Sequence, residues 1–90
     1  EALDVTKTIN DVINKSSVLQ NTYNANAVLA NRLAVATAGY STEAVKAAIA
    51  ESTLNEMQIK AILAKRGLTE AELEKTTAEL TAITTTNAMT

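Results

Sequence analysis

Between residues 40 and 81 the apolar positions of this chain follow two rhythms at once, the three-and-four spacing of a helix face and a longer return every 14 residues. The longer return is a short block written three times: Tyr40-Ser41-Thr42-Glu43, Leu54-Asn55-Glu56-Met57 and Leu68-Thr69-Glu70-Ala71. Each copy opens with an apolar residue and follows it with a side chain able to cap a helix (Ser41, Asn55, Thr69). A second apolar residue comes five positions after the opener (Val45, Ile59, Leu73). That is the spacing of a hydrophobic staple around an N-cap. In the second and third copies Gln58 and Glu72 stand three residues after the cap, where a side chain can reach back to the cap's own N–H. Glu43, Glu56, Glu70 and Glu72 fall in first turns and Lys65 and Arg66 in the last turn of the second copy, which suits the helix dipole at both ends. Gly39 and Gly67 precede their openers, where a preceding helix closes on a left-handed residue. Thr53 holds that place before the second copy, so this stop is the weakest.

These signals predict helices over 42–52, 56–66 and 70–82. Counted from each opener, the sixth residue (Val45, Ile59, Leu73), the tenth (Ile49, Leu63, Thr77) and the eleventh (Ala50, Ala64, Ala78) mark the stripe expected to be buried. The alanine column would let neighbouring helices approach closely. Helices of roughly 10 residues are marginal alone, so they must pack on each other or on something longer.

The candidate for that longer element is the first 38 residues. From Leu3 to Thr37 there is neither Gly nor Pro, and Val5, Ile9, Val12, Ile13, Leu19, Tyr23, Ala27 and Ala30 recur at helical spacing. Asp4 is the N-cap candidate. Ile9, Val12, Leu19 and Tyr23 fit an a/d seam that Ser16 and Asn26 interrupt, which suits a scaffold for the repeats better than an isolated coiled coil. The stretch Asn21-Thr22-Tyr23-Asn24-Ala25-Asn26 is the weak point, because Asn and Thr compete for backbone hydrogen bonds. The pattern favours one continuous helix, about 50 Å long at the usual rise, over one broken near residues 21–26. The expected architecture is all-α: a long helical segment over 1–38, three short helices over 40–82, and a polar, frayed tail over 83–90, forming a small helical array. A start at Glu1 and a threonine-rich end read as a piece of a longer protein.

Composition narrows the function. With two tyrosines as the only aromatic residues, the apolar share comes from Ala, Leu, Val and Ile, which favours close-packed helices. The net charge is −2 with the signs interspersed, so neither a nucleic-acid nor an anionic-membrane partner is implied. The longest apolar candidate, Ala27 to Ala38, carries Asn31 and Arg32 and is too short to span a bilayer. Without His or Cys the chain lacks zinc-finger ligands and both common nucleophile–base systems.

No catalytic, cofactor-binding or metal-ligating residue is therefore assigned, and the chain is expected to be non-enzymatic with no cofactor. Glu70, Glu72, Glu74 and Glu79 cluster in the last repeat, but a solvated helix face with two acids serving the helix start explains them without a cation site. Lys60, Lys65 and Arg66 read as dipole complementation, together with a Glu56 to Lys60 pair one turn apart. The alternative function is a helical adaptor or a helix-turn-helix-like DNA-binding module spanning Gln58 to Leu80. Its recognition helix would open Thr69-Glu70-Ala71-Glu72-Leu73-Glu74, presenting three carboxylates to phosphates.

The stretch from Leu54 to Glu72 resembles the short helical repeats of tail tape measure proteins from phages and prophages of gut Firmicutes. The matching positions are Leu54, Gln58, Ile62 with Leu63, Gly67-Leu68-Thr69 and Glu72. The likeness covers Tyr40 to about Leu80. The first copy departs from it, with Tyr40 in place of Leu and Ala44 in place of Gln. The resemblance implies a segment of a long helical protein that lies inside the tail tube, helps set tail length and leaves during infection. The implied partners are copies of itself or other tail components, with no nucleic acid and no membrane expected for this segment. The implied location is the virion tail interior, or the bacterial cytoplasm before assembly. No family catalytic residue carries over.

Overall fold

The computed structural model describes residues 2–16 and 24–89 of the chain. They form five helices: α1 (Ala2–Lys15), α2 (Ala25–Ala36), α3 (Thr42–Ala50), α4 (Glu56–Ala64) and α5 (Glu70–Met89). The expected all-α class and small array hold. The 14-residue rhythm is now physical: α3 and α4 are nine-residue helices, and the connections 37–41, 51–55 and 65–69 stand at the same interval as the block.

The first 38 residues are not one helix. A continuous helix would span about 50 Å, whereas the longest extent of the whole molecule is 34 Å, and α1 packs directly against α2. The radius of gyration, 12.3 Å, is that of a compact chain of this length. α1 ends at Lys15 and α2 begins after Asn24, whose φ of 60° lies in the left-handed region that Asn tolerates better than most residues. Asn24, within the asparagine-rich stretch, thus marks the start of α2, and Asn21, Thr22 and Tyr23 of that stretch, with Leu19 of the expected seam, fall outside the described residues. What remains of the seam is real: Val5, Ile9 and Ser16 are buried and Val12 is partly so. Asp4 lies inside the first turn of α1, not before it.

The tail expectation also fails. α5 runs for 20 residues through the segment expected to fray. Its bed-facing positions Leu73, Thr77, Leu80, Thr84 and Asn87 alternate by four and three, continuing one stripe past the repeat. Thr84 is buried, and the Asn87 amide donates to the carbonyls of Ala50 (3.0 Å) and Ser52 (2.9 Å). Those oxygens lie at the end of α3, where intrahelical partners run out. A threonine-rich composition without an aliphatic pattern concealed this attachment.

α4 is the central helix, packing most extensively on α2 and next on α5, while α3 lies between α1 and α5. One core joins Val5, Ile9, Leu33, Val45, Ile49, Leu54, Ile59, Ile62, Leu63 and Leu80. Each large aliphatic side chain so buried contributes about 1.5–3 kcal/mol against exposure. The buried stripe of the repeats is shifted from the expected one. The sixth and tenth columns are buried in α3 and α4, but Ala64 and Ala78 of the eleventh column are exposed. The fifth and ninth positions, Ala44 and Ala48 in α3 and Gln58 and Ile62 in α4, take that place. The buried alanines among the described residues are therefore Ala44 and Ala48, along with Ala30 and Ala34 of α2, and of the alanine column only Ala50 packs against the core.

Candidate functional site

The most constructed feature of the molecule is the row of three connections at the block positions. All three helix starts are capped as the spacing requires. Ser41 accepts from the Ala44 N–H at 3.2 Å. Asn55 and Gln58 form a full capping box, with the Gln58 N–H donating to Asn55 Oδ1 at 2.9 Å and the Asn55 N–H donating to Gln58 Oε1 at 3.0 Å. Thr69 and Glu72 form the third: the Glu72 N–H donates to Thr69 Oγ1 at 3.2 Å, while the Thr69 N–H and hydroxyl both donate to Glu72 Oε1, at 3.2 and 2.8 Å. The Thr69 hydroxyl and N–H hold the Glu72 carboxyl below its ordinary pKa, because both bonds favour the charged form. The openers Tyr40 and Leu68 pack against the core and Leu54 is buried within it, as staple residues should be.

The helix ends are held differently. Gly67 closes α4 with φ of 76°, but Gly39 does not adopt a positive φ. The turn around Gly39 is fastened from a distance instead: the Arg66 guanidinium donates from Nη1 to the Tyr40 carbonyl and from Nη2 to the Thr37 carbonyl. Arg66 therefore does complement a helix end, but the end is that of α2, 29 residues earlier in sequence, and not its own α4. The Tyr40 hydroxyl shares a hydrogen bond of 3.1 Å with Thr8 Oγ1, tying α1 to the same turn. A third distant tie joins Asn26 Oδ1 to the amides of Asn55 and Gln58, both at 3.3 Å. None of these distant partners is visible in the sequence, since 26 to 32 residues separate them and no local pattern links them.

The acidic group of the last repeat is spread along the outside of α5. Glu70, Glu72, Glu74 and Glu79 are all exposed, and Glu72 is committed to its cap. The Glu56 to Lys60 pair is not formed; the ion pair found among the described residues joins Lys46 to Glu43 at 3.7 Å. A shallow groove of about 240 Å³ between α4 and α5 is lined by Glu56, Lys60, Glu74, Thr77 and Ala78. Its floor residue, Thr77, is buried with a hydroxyl that has no partner. No described helix is long and apolar enough to cross a membrane. Comparison with models of known families, with curated proteins and with solved structures gives no match.

Proposed function

We propose that this chain is a non-enzymatic structural and assembly segment of the phage tail tape measure type, acting by helix packing with copies of itself or with other tail components. One observation carries this reading: the repeated block folds as one repeated module. Each copy supplies its own cap and connection, the first two present their sixth and tenth positions to a shared core, and the third packs Leu73 against it. A chain written in such modules lengthens by whole units without redesign of its packing, because each unit buries its face on its neighbours. The alternative, a DNA-binding helix pair α4–α5, meets an electrostatic objection. The first turn of α5 carries exposed Glu70 and Glu72, and the Thr69 hydrogen bonds hold the latter's carboxyl below its ordinary pKa.

The reading frame and its neighbours test the proposal. Tail genes alongside and further copies of the Leu-x-x-x-Gln and Gly-Leu-Thr block support it; a regulator operon around a stand-alone frame overturns it. DNA retention at low ionic strength that disappears with added salt would favour the alternative.

A further inference from the structure

We propose that α5 is an exchangeable arm, which leaves the bed formed by its own α3 and α4 and docks in the same register on the bed of a second copy of the chain; this exchange is independent of the tail-assembly role above. Three observations converge on it.

The docking face of α5 sets buried threonines among its leucines where the equivalent faces are aliphatic. Thr77 occupies the column that Ile49 and Leu63 fill in α3 and α4, and Thr84 is buried one heptad further on. The Thr77 and Thr81 hydroxyls are both buried with no hydrogen-bond partner. Undocking rehydrates them, which offsets part of the cost of exposing the apolar face and makes opening easier.

The connection 65–69 is a short hinge with one position that decides its state. Gly67 sits at φ 76°, the only left-handed backbone in the three block connections, and a Cβ built there meets nothing within 4 Å. An alanine at 67 is thus opposed in the closed hinge by backbone conformation alone, yet is the residue that most favours a continuous helix.

The open form is also prepared. The chain contains no proline, so no missing N–H or ring clash opposes helix through the hinge, and opening it undoes the Gly67 turn and the Thr69–Glu72 cap. A 14-residue repeat is two heptads, so in a continuous helix Ile59 and Leu63 fall on the same side as Leu73 and Thr77. The vacated bed is covered by the identical arm of the second copy. The packing of Leu80 and the hydrogen bonds of Asn87 within one chain are then remade between two, which is how an exchanged element inherits its fit.

The test is the oligomeric state of G67A, by size-exclusion chromatography with light scattering from micromolar to millimolar concentration. The closed hinge is disfavoured about tenfold per chain by an L side chain in the left-handed region, and an exchanged dimer opens two hinges, so association should strengthen about a hundredfold. A second variant with four glycines inserted after Gly67 relieves the short hinge and should remain monomeric throughout. Folded G67A that stays monomeric to millimolar concentration overturns the proposal. So does a dimer that forms equally well with the lengthened hinge, since that would be a surface association. If G67A fails to fold, wild-type chain cooled from its unfolding midpoint at millimolar concentration decides: a trapped dimer supports exchange, and monomer alone overturns it.

Discussion

α3 and α4 on one side and α5 on the other begin with the same block and end as different kinds of helix. In α3 and α4 the sixth and tenth columns are Val45, Ile49, Ile59 and Leu63, all fully buried in nine-residue helices. In α5 those columns are Leu73, only partly buried, and Thr77, whose hydroxyl has no partner, in a helix of 20 residues. α5 compensates for a weaker face with length and with the Asn87 bonds to the end of α3. The block therefore specifies where a helix begins and which side faces inward; the depth of burial is set by what fills the columns.

Four sets of variants would break or sharpen this contrast, in decreasing order of effect. L63A should cost about 3 kcal/mol, since it opens a cavity in the helix that packs on both α2 and α5, and chemical denaturation should show the lower midpoint. The same truncation at Leu73, partly exposed, should cost less than half as much. R66A should cost about 2 kcal/mol, because the Tyr40 carbonyl loses its guanidinium partner and the Thr37 carbonyl keeps only the Tyr40 N–H. R66K should recover little of it, because an ammonium lacks the fork that spans two acceptors. T77V should stabilise by about 1 kcal/mol, because a methyl group replaces an unpartnered buried hydroxyl at nearly constant volume. The smallest effect is pH-dependent. The depressed pKa of Glu72 means that its contribution is present above the unfolded carboxylate pKa and is lost as pH falls through the folded one. Stability profiles of wild type and E72A should diverge toward neutral pH and converge in strong acid.

The capped starts of the three repeat helices and the Gly67 stop are readable in the sequence, and the ties that act across the fold are not, for a physical reason. A cap such as Asn55 with Gln58 closes within three residues, so spacing alone reveals it. Arg66 on the α2–α3 turn and Asn87 on the end of α3 act across 26 to 37 residues, and only the packed chain brings them together. The same locality explains the failed expectations. Nothing local forbids one continuous helix over 1–38, yet α2 begins after Asn24 in a conformation that Asn adopts at little cost. Small size alone points to the alanine column for close packing, but the face is rotated toward the residues with more surface to bury, Ile62 above all. Of the candidate chemistry, the cap role of Glu72 is readable; the unpartnered Thr77 hydroxyl in the α4–α5 groove is not, because it depends on depth.

Native-state hydrogen exchange measured residue by residue tests the contrast most directly. If α5 is the lightly held helix, amides from Leu80 to Met89 exchange through local opening at least tenfold faster than those of Ile62 and Leu63, and T77V slows them while leaving α4 unchanged. Equal protection in α4 and α5, both set by global unfolding, would contradict it.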